Sequence, residues 1–173
     1  TSLESIVVVE GNPVYDSREG CNAIIETKTN TLICGCKSTI IPESVTKIGR
    51  HAFAGCSLLE SVTIPETVTM IERKTFKDCT KLKEIIIPES VTEIGEEAFK
   101  NCKSLERISI PGSVKLPRDL YWRDVFGGCD SLKEITFSQG ITKLADGFIS
   151  HGNSGGLSNL KSLTTVNLPS GVT

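Results

Sequence analysis

An isoleucine-proline pair begins at Ile41, Ile64, Ile87 and Ile110, at a constant interval of 23 residues. Each pair opens nearly the same phrase: "IPESVTKIGRHAFAGC", then "IPETVTMIERKTFKDC", then "IPESVTEIGEEAFKNC". A fixed period between roughly 20 and 50 residues marks an array whose units stack on one another, because one unit is too small to bury its own apolar edge. The next two points in register, Phe137 and Leu168, come 27 and 31 residues further on, so those coils carry four and eight extra residues.

Within each unit the apolar positions recur. Leu59, Val62 and Ile64 read "LxxVxI", and Leu82, Ile85 and Ile87 repeat it. So do Leu105, Ile108 and Ile110, then Leu132, Ile135 and Phe137, then Leu163, Val166 and Leu168. Leu3, Ile6 and Val8 supply the tail of an earlier unit. Val62 in, Thr63 out, Ile64 in is the alternation of a short strand with one buried face. The proline that follows donates nothing to a ladder and stops it. "VTMI" and its equivalents form a second extended piece that buries Val68 and Ile71. "GRHAFAGC" and "GEEAFKNC" read as a glycine-led helical turn that buries Phe53 or Phe99 with the cysteine. Cys56, Cys79, Cys102 and Cys129 share one repeat position, which Leu160 fills in the last coil, so these thiols act as small core side chains.

These residues give the chain its resemblance to the BspA-like branch of leucine-rich repeat proteins, of bacterial surface protein type. The pattern "IPxSVTxIGxxAFxxCxxLxxVxI" is nearly complete in Ile41–Ile64 and Ile87–Ile110. The resemblance implies an α/β repeat: a right-handed solenoid with short parallel strands on one face and short helical or irregular segments opposite. It also implies a bacterial cell-surface or secreted location and adhesion to host matrix proteins or other bacteria. The expected organisation is a single solenoid over 1–173, with a β-hairpin insertion at 9–40 and about five further coils over 41–173. A start at Thr1 inside the pattern reads as a piece of a longer protein.

In the 9–40 segment, "NAIIETKTNTLI" has two β-prone runs around a polar centre. A turn centred between Lys28 and Thr29 sets Cys21 opposite Cys36, which makes a disulfide thinkable, and a slip of one residue cancels it. Cys21, Cys34 and Cys36 fall short of a zinc constellation, with one "CxC" and no nearby histidine. Asp16, Ser17 and Glu19 lack the order of a calcium loop and read as a solvated turn.

Catalysis needs a nucleophile, an acid or base, and a pocket. His51 lies where the neighbouring units place Lys74 and Glu97, and His151 lies in the loop-forming run "SHGNSGG". No catalytic, cofactor or metal residues are assigned. The net charge of −2 gives no reason to expect nucleic acid, and no apolar run approaches the roughly 20 residues of a membrane span. The chain is expected to be a monomer that binds a protein, without inserting into a membrane itself.

The candidate contact residues point away from the stacked core. They are Ser61 and Thr63, Glu84 and Ile86, Arg107 and Ser109, Glu134 and Thr136, extended by Thr165 and Asn167 and by Ser5 and Val7. A second candidate lies in "LPRDLYWRDVF", where Tyr121 and Trp122 stand beside Arg118 and Arg123. Those types are enriched at binding hot spots, but the leading reading is that Trp122 folds down over the enlarged coil and fills its extra volume, with a contact role as the alternative. The alternative roles are a structural spacer and a substrate-presenting accessory domain.

Overall fold

Leucine and valine recur in register because each repeat buries them against the next. In the computed structural model, which describes residues 3–114, 125–141, 157 and 160–172, Leu59, Leu82, Leu105 and Leu132 are fully buried. Val45, Val68 and Val91 are fully buried as well.

Short strands on either side of this interior form two ladders. One is a six-stranded sheet in the order β1 (Tyr15–Asp16), β2 (Ala23–Glu26), β3 (Thr31–Gly35), β4 (Lys47–Ile48), β5 (Met70–Ile71), β7 (Glu93–Ile94). β1, β2 and β3 pair antiparallel, whereas β3, β4, β5 and β7 are parallel. The other sheet is wholly parallel and holds β6 (Glu84–Ile86), β8 (Arg107–Ile110), β9 (Glu134–Phe137) and β10 (Thr165–Asn167) in that spatial order. Its strands stop beside proline or a turn, as the missing donor of proline requires.

The 62–64 segment departs from the expected strand. It keeps the alternation, with Thr63 exposed and Ile64 buried, yet it joins no ladder, and β6 is the edge of its sheet. The Lys83 N–H reaches back just before it, to the Glu60 carbonyl at 3.2 Å. The alternation reports inward packing, which needs no ladder.

The segments around the phenylalanines also differ from the expected helical turn. They are turns closed by i→i+3 bonds such as Ala54 N–H to His51 O (2.9 Å) and Cys56 N–H to Phe53 O (2.9 Å). His51, Lys74 and Glu97 hold the same left-handed φ, +61°, +61° and +56°, which stops a right-handed helix at each one. The freed amides turn to the next repeat. Phe53 N–H donates to Thr75 O (2.9 Å), Gly55 to Lys77 O (2.8 Å), Phe76 to Ala98 O (2.8 Å) and Asp78 to Lys100 O (2.8 Å). The turns thus form a third line of inter-repeat bonds.

Inside them run two columns. Phe53, Phe76, Phe99 and Phe126 stack at centroid separations of 5.2, 5.4 and 5.7 Å, with planes within 13° of parallel. Those spacings correspond to offset stacking, worth about 0.5–1.5 kcal/mol per pair beyond area burial. The four cysteines form the second column, as the repeat position implied. Cys79 and Cys102 each lie 3.1 Å from the phenylalanine carbonyl of the preceding repeat, Phe53 and Phe76, and Cys129 lies 3.0 Å from that of Phe99.

At the N-terminal side the register is Ala23↔Gly35 and Ile24↔Cys34, then a shift before Ile25↔Leu32 and Glu26↔Thr31. That shift is the slip that cancels the Cys21–Cys36 pairing. Both thiols are free and buried, and the Cys36 sulfur approaches the Asn22 carbonyl at 3.5 Å. The Asp16 carboxylate faces Arg18. Arg18 holds its carboxylate through Nε (2.8 Å) and a terminal nitrogen (2.6 Å), and reaches Asn30 Oδ1 at 2.9 Å. The Arg18 hydrogen bonds hold the Asp16 carboxyl down at about 2.

Candidate functional site: the outward face of the parallel sheet

Parallel pairing places equivalent residues of successive repeats in rows. Glu84, Arg107, Glu134 and Thr165 form one row, and Ile86, Ser109, Thr136 and Asn167 form the next. All of these side chains lie outward at least in part, while Ile85, Ile108 and Ile135 between them are buried. Eight of the expected contact residues therefore share one surface. Ser61 and Thr63 are exposed beside it without ladder pairing, and with Glu84 and Ile86 they border a shallow hollow of about 380 Å3. Tyr121, Trp122, Arg123 and His151 lie outside the described residues.

Electrostatics across the face are settled locally. Arg107 pairs with Glu84 at 3.3 Å, and both remain more than half exposed. The Glu84 carboxylate, by hydrogen bond and by charge, raises the Arg107 pKa. Glu134 is engaged from the other side, accepting from Asn167 Nδ2 at 2.6 Å, and the same nitrogen reaches Thr136 Oγ1 at 3.1 Å. One position earlier in each repeat, Lys83 pairs with Glu60 (3.3 Å) and Lys133 with Glu106 (3.1 Å). Such exposed pairs contribute about 0–1 kcal/mol each, so they set pattern more than stability.

Sequence reasoning missed that outer row. Its signal is the residue after the first leucine of "LxxVxI", which alternates Glu60, Lys83, Glu106, Lys133 along the chain. It also missed Ile40, 73% exposed, which precedes Ile41-Pro42 as Thr63 precedes Ile64-Pro65. Ile86, at 66% exposure, is the large apolar side chain at the β6 edge of the face.

Among the described residues no group of three or more His, Cys, Asp or Glu side chains could hold a metal ion, and no helix is long and apolar enough to cross a membrane.

The profile of the BspA type leucine rich repeat region matches in six copies, over residues 25–151 and 122–173. The chain belongs to the BspA-type leucine-rich repeat family. Solved structures agree on the fold. A leucine-rich repeat protein from Eubacterium ventriosum ATCC 27560 is 22% identical with a TM-score of 0.76, covering 96% of this chain and 43% of that one. The T. pallidum leucine rich repeat protein is 28% identical with a TM-score of 0.57, covering 79% and 56%. A leucine rich cell surface protein from Faecalibacterium prausnitzii A2-165 is 23% identical with a TM-score of 0.57, covering 88% and 44%. This BspA-type chain thus spans roughly half the length of the solved relatives or less. No curated protein matches its sequence.

Proposed function

We propose that the chain is a non-catalytic protein-recognition module of the bacterial surface, or a secreted one, and that β6, β8, β9 and β10 carry the contact. The reading takes the repeats as one right-handed solenoid, monomeric, with its parallel face turned to a host matrix protein or another bacterial surface. The observation that carries it is the pair of outward rows around Ile86 and Arg107, which set an apolar knob among paired charges on a rigid sheet. Repeat proteins bind through such extended faces. Location rests on the family and on the cell surface relative from F. prausnitzii.

The test is binding of the isolated chain to immobilised matrix proteins and bacterial cells. Arg107→Glu combined with Ile86→Ala is expected to abolish capture while leaving the melting temperature within about 3 °C. Trp122→Ala reports on the second candidate surface: lost capture with unchanged stability assigns it a contact, and lost stability with unchanged capture assigns it to packing. One observation favours a spacer instead: the charges of the face are largely paired among themselves. Failure to capture any partner at micromolar concentration selects that reading.

A further inference from the structure

We infer that the larger sheet carries a binding groove for a neutral oligosaccharide, separate from the face of β6, β8, β9 and β10. A hollow of about 530 Å3 lies where the antiparallel β2–β3 pair meets the parallel strands β4 and β5. Most surface features of this chain recur with the repeat. This one belongs to the junction and occurs where the repeat pattern is broken.

Register explains the hollow. Leu32, Ile48 and Ile71 are paired neighbours, so the residues after them, Ile33, Gly49 and Glu72, fall in one outward row. The ladder continues through that row, with Gly49 N–H donating to Leu32 O at 2.9 Å and Glu72 N–H to Ile48 O at 3.0 Å. Gly49 omits the side chain at the centre. A Cβ there would press on the Leu32 carbonyl oxygen at 3.0 Å and lie 3.3 Å from Thr31 Cγ2 and 3.9 Å from Ile33 Cδ1, two residues of the groove wall.

The lining mixes donors and acceptors at zero net charge. Glu26 and Glu72 supply carboxylates, and Lys47 and Arg50 supply cations. Glu72 pairs with Lys47 and also accepts the Arg50 backbone N–H at 2.9 Å. Among the described residues no carboxylate pairs with the Arg50 guanidinium, which leaves its five donors for a ligand. Thr46 and Thr69 hydroxyls rest on backbone carbonyls at a slack 3.4 Å, and so remain available as donors and acceptors. Ile33, 39% exposed, and the half-buried Met70 add apolar surface beside them.

Each ligand class meets this lining differently. A polyanion meets two carboxylates, and an apolar ligand strands several polar groups at a desolvation cost. A sugar ring offers hydroxyls that donate and accept at close intervals and a C–H face for Ile33 and Met70. It satisfies the groove without leaving a charge opposed.

The test applies the whole chain to an array of immobilised neutral, sialylated and sulfated oligosaccharides, with bound members then titrated in solution by calorimetry. Matrix glycoproteins, before and after enzymatic deglycosylation, run alongside. Binding of neutral oligosaccharides is expected. Arg50→Ala and Thr69→Val should each weaken it by roughly tenfold or more, as loss of a ligand hydrogen bond implies, with the melting temperature held. Arg107→Glu should leave it unchanged, so the groove and the parallel face stand or fall separately. The proposal is overturned if no neutral oligosaccharide binds at millimolar concentration, or if only sulfated or sialylated ones bind. Equal binding by both groove variants overturns it too. Capture of deglycosylated protein that depends on Arg50 would make the occupant a peptide and likewise reject the sugar.

Discussion

Single side chains explain why the interior recurs with so little variation. Each cysteine of the column leaves room for only a small group against a carbonyl of the preceding turn, that of Gly35 for Cys56 and of Phe53, Phe76 and Phe99 for Cys79, Cys102 and Cys129. Burial pushes the Cys79 thiol up to about 12, and the Cys129 side chain together with burial pushes Cys102 up as well. The thiolate is the reactive form. At pH 8 Cys79 and Cys102 are therefore expected to resist a disulfide reagent until the chain unfolds, with half-buried Cys34 reacting first; stopped-flow labelling with and without denaturant measures the difference. Phe76 lies between two rings, and Phe76→Ala is expected to cost about 3–5 kcal/mol in denaturant unfolding. Glu97 adds a pH signature. Lys77, Lys100 and Lys74 surround its carboxylate at 2.7, 3.3 and 3.7 Å, and the Lys77 hydrogen bond leads in holding its pKa at about 2, below the ordinary 4.5. A depressed folded pKa means stabilisation present above pH 4.5 and lost as pH falls toward 2. Glu97→Gln should flatten that part of the stability profile, and salt should shrink the difference. The core positions and the cysteine column were readable from the sequence, because a side chain buried in every repeat must be apolar in every repeat. The left-handed φ at His51, Lys74 and Glu97 was not, since three unlike residues share the conformation and none is glycine.

At the scale of elements, the sequence shows where the chain is extended but not which extended pieces pair. "VTI" at Val62–Ile64 and "ISI" at Ile108–Ile110 look alike, yet the second lies in a ladder and the first does not. Pairing depends on how closely neighbouring repeats approach, which is a property of two segments. The same limit hid the β2–β3 register, where a single bulge moved Cys21 past Cys36 while every residue kept its β preference. Glycine marks one of the tight approaches. A Cβ on Gly95 would fall 2.3 Å from the Arg73 nitrogen and 2.6 Å from the Glu72 carbonyl carbon, both backbone atoms of the preceding repeat. Gly95→Ala is therefore expected to force the two repeats apart and destabilise the chain by about 1–3 kcal/mol, whereas Ala in place of exposed Ser61 should change little; parallel urea titrations separate the two.

For the whole molecule, the candidate face was legible because parallel pairing preserves the sequence register, so residues one period apart become neighbours in space. The groove at Gly49 was not legible, because it arises where the antiparallel β2–β3 pair meets the parallel strands β4 and β5. That contrast also governs how the chain comes apart. Strand pairing links each repeat to its immediate neighbours, so stability approximates a sum of unit and interface terms. Units near the middle are held from both sides. Ile108 and Ile135 are buried within paired strands, whereas at the C-terminal end Leu163 and Val166 are only partly covered and Thr165 and Asn167 are exposed. Residues 3–9 are likewise exposed or half-buried. Amide exchange is therefore expected to be slowest in β8 and β9 and in the phenylalanine turns, and faster in β10 and 3–9. Phe76→Ala should raise exchange in the repeats on both sides of it, while Leu163→Ala should raise it in β10 alone. Uniform exchange in every repeat, altered equally by both substitutions, would show that the array unfolds as a single block and that the nearest-neighbour account of its stability is wrong.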